Sequence, residues 1–225
     1  MMSEHLIVTR FAVPHEDPDK AEIHCSPQWL EERLALFRRY YVPSVSRLGV
    51  RAVLLCGSRA QEQVRDAVAD LPWVRVVEQE DWSGGLPQET DKILTRMDSD
   101  DALRAGWFER VSAAPSRASV IITRQFLRYD AQHHRLHHYR RREPSPLAAF
   151  RPGHNPYASM HKRLDQRSDV HEIEDAFLLQ VAHGGNLKNH RPRWWRIDRA
   201  VRGRSRVLAE FGLTESREGI APLSS

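Results

Sequence analysis

The residues best suited to chemistry stand in one run, Thr95-Arg96-Met97-Asp98-Ser99-Asp100-Asp101-Ala102-Leu103. Asp98 and Asp100 are two apart, and in an extended backbone their carboxylates project to one side, where hard oxygen ligands suit Mg²⁺ or Mn²⁺. Arg96 shares that side by the same count. A cation and an arginine at a strand's carboxyl end would meet the needs of a nucleotide diphosphate, because α/β sheets bind ligands outside those ends. The same string also reads as a helix start at which Asp100 or Asp101 is only the N-cap, and on its own it divides evenly between the two readings.

The elements that must position this run follow from hydrophobic pattern. Ile93 and Leu94 lead in as a buried strand, and a helix is predicted over Leu103 to Val111. Leu6 to Val8 is a first strand. Ser26-Pro27 is an N-cap and first-turn proline, opening a helix with Leu30, Leu34, Phe37 and Tyr41 on one face and an end before Pro43. Ala52 to Leu55 is a second strand, Gly57-Ser58 a turn, and Trp73 to Val77 a third strand after a helix from about Ala60 to Ala69. Such alternation predicts parallel βαβ units. Ser119 to Thr123 is a further strand, and Phe126 to Tyr129 with Leu136 to Tyr139 form a hairpin around Asp130-Ala131-Gln132, which makes the sheet mixed. His133, His134, His137 and His138 on its second arm invite a zinc reading, but alternation scatters them over both faces, as on a solvated edge strand. Arg140 to Pro156, with five Pro or Gly residues and no period, reads as a lid or acceptor-side loop. A helix is predicted from Ser168, with Glu174-Asp175 in its opening turns, Phe177, Leu178 and Val181 on its apolar side, and Gly184-Gly185 as its stop.

The 225 residues, 40% hydrophobic, suffice for a substantial core. No apolar run approaches the ~20 residues of a spanning helix, and the first residues lack a leader pattern, so no transmembrane segment and a cytoplasmic location are expected. Cys25 and Cys56 have no paired spacing and read as reduced thiols. The net charge of +4 says less than its distribution. Arg191, Arg193, Arg196, Arg199, Arg202, Arg204 and Arg206 surround Trp194 and Trp195 in a tail that could contact nucleic acid or an anionic membrane surface. A solvated helix face over Ile197, Val201, Leu208 and Phe211 is the favoured reading of the same run. The expected division is a catalytic domain over 1–190 and a basic helical extension over 191–225.

Three stretches in order, Thr9-Arg10-Phe11, the acidic run, and Leu179-Gln180-Val181-Ala182-His183-Gly184-Gly185-Asn186-Leu187, resemble the rhamnosyl transferase family of GT-A-type glycosyltransferases. The resemblance spans roughly residues 6 to 190. It implies a GT-A-like (Rossmann-like) mixed central sheet with helices on both faces, a nucleotide-sugar donor, a carbohydrate or other hydroxyl acceptor, and Mn²⁺ or Mg²⁺. Asp98 would face the ribose or the metal, Asp100 would be the principal metal ligand, and His183 would complete the shell, with His190 as its substitute. Thr9, Arg10, Phe11 and Arg96 would border the donor. Asp175, then Glu174, would be the base that takes the acceptor's proton. The chain departs from the pattern at Cys56-Gly57-Ser58, where GT-A enzymes of the broad inverting class often carry an acidic residue for the nucleotide base. Two other classes use the same features: a metal-dependent nucleotidyltransferase, and a non-catalytic protein that binds through the basic tail. Nucleic acid is the less favoured partner, and a glycoside hydrolase would not need basic surroundings for a diphosphate.

Overall fold

The computed structural model describes residues 5–24, 26–81, 84, 86, 91–131, 133–183, 197–216 and 219–222. From the N-terminus run β1 (His5–Ala12), α1 (Pro18–His24), α2 (Pro27–Leu36), a π-helical turn (Phe37–Tyr41), α3 (Val42–Val45), β2 (Arg51–Cys56), α4 (Ser58–Ala67), β3 (Val74–Glu78), β4 (Ile93–Arg96) and β5 (Ala102–Leu103). There follow α5 (Trp107–Ala113), β6 (Val120–Thr123), β7 (Gln125–Asp130), β8 (Arg135–Arg140), β9 (Ala148–Phe150), a 3₁₀ helix (His161–Gln166), β10 (Val170–Ile173) and β11 (Leu178–Ala182). The described chain closes with β12 (Ile197–Ala200), α6 (Arg204–Ala209), β13 (Leu213–Ser216) and β14 (Gly219–Pro222).

Seven strands form a mixed sheet in the order β10-β6-β9-β4-β1-β2-β3, and five form a second, β12-β8-β7-β11-β5. Alternation along β1 sorts the core by face. Ile7 and Phe11 pack with Leu30, Phe37, Tyr41, Val64 and Trp107 from α2, the π-helical turn, α4 and α5. Leu6 and Val8 point the other way, to Val53, Leu55, Phe150, Tyr157 and Leu164, so the 3₁₀ helix and the segment before it cover the second face. This is the expected mixed sheet flanked by helices.

Several local expectations change in three dimensions. The helix begun at Ser26 does not stop before Pro43: the π-helical turn carries it into α3, where Pro43 occupies a first-turn position that needs no N–H donor. The Arg140–Pro156 stretch is not all loop. Its Ala148–Phe150 is fully buried as β9, antiparallel to both β4 and β6, a strand too short for its pattern to show between prolines. β8 is not an edge strand, because β12 pairs with it on the side away from β7. His133 and His134 take local partners, Asp130 at 2.8 Å and the Tyr129 hydroxyl at 2.9 Å. Residues 168–183 are no helix but β10, a turn and β11, since Leu178, Leu179 and Val181 are buried by pairing with β5 and β7. The helix after the acidic run also starts later, at Trp107, behind Gly106 with φ 91°.

The described part of 191–225 is a strand, a short helix and a hairpin in place of the expected helix. Val201, Leu208, Phe211, Leu213 and Ile220 are buried there in a third core shared with Tyr40, Leu127 and Val181. Arg39 Nε donates to Ile220 O at 2.7 Å and Arg47 Nη1 to Ala209 O at 2.7 Å, which fastens this segment to the N-terminal helices. Cys25, Gln132, the Gly184–Leu187 end of the late motif, His190 and the Arg191–Arg196 run with Trp194 and Trp195 lie outside the described residues. Among the described residues no helix is long and apolar enough to cross a membrane.

Candidate active site

The acidic run sits where the two sheets meet. β4 is inside the first sheet and β5 is at the edge of the second, so residues 97–101 carry the chain from one to the other. β11 runs antiparallel to β5, pairing Leu178 with Leu103 and Leu179 with Ala102, so each step forward on β11 is a step back toward the acidic turn. The next contacts obey that register. The Val181 N–H donates to Asp101 Oδ1 at 3.0 Å, and His183 Nε2 lies 2.9 Å from Asp100 Oδ2. Ser44 of α3 fixes β5 from behind, accepting from the Leu103 N–H at 3.2 Å while donating to Tyr41 O at 2.8 Å. The Trp107 indole N–H donates to Thr95 Oγ1 at 3.1 Å and ties α5 to β4.

The three carboxylates differ in surroundings. Asp98 is exposed at its surface yet has protein crowded around it. That crowding, and then the charge of Asp100, push its pKa up against the pull of Arg33, Arg10 and Arg96. Asp100 is buried, which raises its pKa, but the Arg33 guanidinium and then His183 outweigh burial and hold the carboxyl below its ordinary range. Arg33 Nη1 is 2.6 Å from Asp100 Oδ2. Asp101 is the most enclosed in effect: burial first, then Asp100 and Asp98, push it well above the usual carboxylate range, and its Oδ2 has no partner among the described residues. No extended backbone aligns Asp98 with Asp100. A turn at Ser99-Asp100 separates them, and the two are related by charge instead.

Basic groups converge on the same place. The Arg10 guanidinium lies over the Tyr157 ring, 4.4 Å from its centroid, and feels the Asp98 charge. Burial lowers the Arg10 pKa, but arginine keeps its charge at any physiological pH. The Tyr157 hydroxyl donates to Val8 O at 2.9 Å and accepts from the Arg10 N–H at 3.2 Å, and burial pushes it up to about 12.

Of the residues expected here, Asp98, Asp100, His183 and Arg10 are brought together. Thr9 and Phe11 are not: alternation turns them into the core, Thr9 onto the Tyr41 hydroxyl at 3.2 Å and Phe11 edge-on to Phe37 at 5.5 Å. Arg96 is buried under the segment after β9. Its Nη1 donates to Pro156 O at 2.6 Å and Ser159 O at 3.1 Å, and burial lowers its pKa to about 10. Glu174 and Asp175 precede β11 whereas His183 follows it, and five strand residues at ~3.3 Å each separate them by roughly 17 Å. Asp175 pairs instead with Arg110 on the surface at 2.8 Å. Neither aspartate of the Asp100-Asp101 pair caps a helix, because α5 begins behind Gly106. Arg33 and Tyr157 were not singled out by sequence. An arginine in an amphipathic helix and a tyrosine in a proline-rich stretch carry no signal until the fold brings them to Asp100 and Arg10.

Asp98 and Asp100 offer hard carboxylates and His183 an imidazole, a combination that Mn²⁺ takes readily and Mg²⁺ takes through its oxygens. Asp100 and His183 meet as a hydrogen-bonded pair. Among the described residues no group of three His, Cys, Asp or Glu side chains is arranged to hold a metal, and Arg33 is on the Asp100 oxygen.

No family model and no curated protein matches the chain. Solved structures similar to it include the inositol-1-phosphate CTP transferase of T. maritima, at 12% identity over 84% of this chain and 93% of that one, with a TM-score of 0.46. A second is S. aureus TarS 1-349 in complex with UDP-GlcNAc, at 11% identity over 82% of this chain and 60% of that one, TM-score 0.41. A third is the manganese complex of Rv0371C from Mycobacterium tuberculosis H37Rv, at 15% identity over 80% and 91%, TM-score 0.41. Likenesses this slight do not transfer a function.

Proposed function

We propose that the chain is a transferase acting on a nucleoside-diphosphate-linked donor, and specifically a glycosyltransferase that moves a sugar from a nucleotide sugar to an acceptor hydroxyl. The observation that carries this reading is the meeting of Asp100 and His183 at 2.9 Å where the two sheets join, with Asp98, Arg10 and Arg33 around them. A diphosphate leaving group departs with negative charge, and preorganised cations lower the barrier to its departure. Arg10, held over Tyr157, is the fixed guanidinium for that charge, while Arg33 stands beside it on Asp100. Asp98, Asp100 and His183 would hold Mn²⁺ or Mg²⁺, which supplies Lewis-acid stabilisation of the phosphate oxygens when bound.

Nucleotidyl transfer is the second reading, and the location of Glu174 and Asp175 favours it. Sugar transfer to a hydroxyl needs a base near the acceptor, and both carboxylates stand at the far end of β11. A sugar phosphate attacking a nucleoside triphosphate is already anionic and needs none. A thermal-shift panel of nucleoside diphosphates, nucleotide sugars and nucleoside triphosphates, with and without Mn²⁺, tests the class, since a ligand of the folded state raises apparent stability. Stabilisation by nucleoside diphosphates that grows with Mn²⁺ is expected. Product analysis then separates release of a nucleoside diphosphate from release of pyrophosphate.

A further inference from the structure

The second sheet carries two unlike rows of side chains on one of its faces. Pairing across β5, β11, β7 and β8 lines up Leu103, Leu178, Phe126 and Tyr139, all buried in one core with Trp107 of α5. Two residues along each strand, on the same face, the register sets Asp101, Gln180, Arg128 and His137 side by side. A row that only packed would be apolar like its neighbour. This one is an acid, an amide, a guanidinium and an imidazole in succession, and Gln180, Arg128 and His137 are only half-buried. At its two ends Asp101 Oδ2 and His137 Nδ1 are buried polar atoms with no hydrogen-bond partner among the described residues.

A second guanidinium comes to the same place. The Arg141 N–H donates to Arg124 O at 3.1 Å, which extends the hairpin register beyond β8 and puts Arg141 on this face, two residues from Tyr139. The guanidinium carbons of Arg128 and Arg141 lie 5.8 Å and 5.7 Å from the centre of the Tyr139 ring, so two positive charges share one aromatic surface. Burial, and then the charge of Arg141, lower the Arg128 pKa against Tyr139, Asp130 and Asp101, yet arginine keeps its charge at physiological pH. Asp130 meets His133 Nδ1 at 2.8 Å, and Asp101 Oδ1 takes the Val181 N–H. Like charges held together in a partly buried place are stabilised by an anion that both can reach, and a phosphate has the charge and the oxygens for two guanidinium groups.

We propose, on the basis of the glycosyltransferase reading, that the acceptor lies along this row and is a phosphorylated compound, its phosphate held between Arg128 and Arg141 and its hydroxyl at the junction of the sheets. The spacing fits, because Arg128 is two strands from Asp101, roughly 10 Å, a length that a phosphorylated sugar or polyol covers. Gln180, between them, has both donors and an acceptor for hydroxyls on the way.

Two calorimetric titrations into the full chain, Arg128→Gln and Arg141→Gln test this: a nucleoside diphosphate first, then inorganic phosphate with the nucleoside diphosphate present to fill the donor's place. The nucleoside diphosphate should bind all three proteins alike. Phosphate should bind the unaltered chain, and each substitution should weaken it at least ~10-fold, since each removes a charged hydrogen bond. No phosphate binding by the unaltered chain, or the same phosphate affinity in either variant, overturns the inference. So does weaker nucleoside diphosphate binding in the variants, which would give the two arginines to the donor. If Arg128→Gln does not fold, Arg141→Gln, just beyond the end of β8, decides by the same criteria. If the nucleoside diphosphate binds none of the proteins, the transferase reading falls and takes the acceptor with it, even where phosphate still distinguishes the variants.

Discussion

One oxygen of Asp100 meets Arg33 and His183 at once, and burial makes those contacts stronger than the same pairs would be in water. Tyr157 does comparable service for Arg10, satisfying the Arg10 N–H and the Val8 carbonyl while its ring underlies the guanidinium. Tyr157→Phe keeps the ring but takes the hydroxyl from the Arg10 N–H and leaves Val8 O with only the Met97 N–H at 3.4 Å, so it is expected to cost ~1–3 kcal/mol, read from the urea midpoint. An unchanged midpoint would mean that water replaces the hydroxyl. Asp175→Asn, by contrast, alters an exposed pair with Arg110 and should move stability by less than ~0.5 kcal/mol and leave donor binding and turnover as they were. A large fall in turnover would return Asp175 to the reaction. The acidic run stood out in the sequence by its residue types, whereas His183 was singled out only through the resemblance of the late motif. Arg33 and Tyr157 were not, since what defines them is a neighbour 67 residues away for one and 147 for the other.

Among the elements, strands with strong apolar runs, β1, β2, β4 and β6, stand where hydrophobic pattern puts them. β9 and β11 were hidden for a shared reason: one is three residues long and the other five, and only pairing on both sides decides their state. The helix expected from Ser168 put Glu174 and Asp175 in its opening turns, whereas they stand in the bend between β10 and β11. β1 also carries a titratable contact to α5, where His5 Nε2 is 3.1 Å from Ser112 Oγ and the ring is 4.9 Å from Phe108. Burial, and then the charge of Arg151, lower the His5 pKa below 6.5. The unfolded chain therefore takes up this proton more readily, so the stability it contributes is present above pH 6.5 and is lost as the pH falls below it. Urea denaturation at pH 7 and pH 5 should show that loss in the unaltered chain and a smaller one in His5→Leu. Equal losses in the two proteins would remove His5 from the pH dependence.

At the scale of the molecule, two sheets joined by the acidic run are braced by a third core that the C-terminal segment completes. Phe211, fully buried there, should cost ~3–5 kcal/mol on truncation to alanine, and thermal unfolding should still be one transition displaced to lower temperature. A separate low-temperature transition would instead make the segment an independent unit. In the proposed function the junction binds the diphosphate of a donor beside Asp100, with a divalent cation. Calorimetric titration of a nucleoside diphosphate, in the presence of Mn²⁺, into the unaltered chain and into Asp100→Asn, which keeps the size of the side chain and discards its charge, decides this. Binding to the unaltered chain and at least ~10-fold weaker binding to Asp100→Asn is the result expected. Equal affinity in the two proteins, or binding in neither, would contradict it.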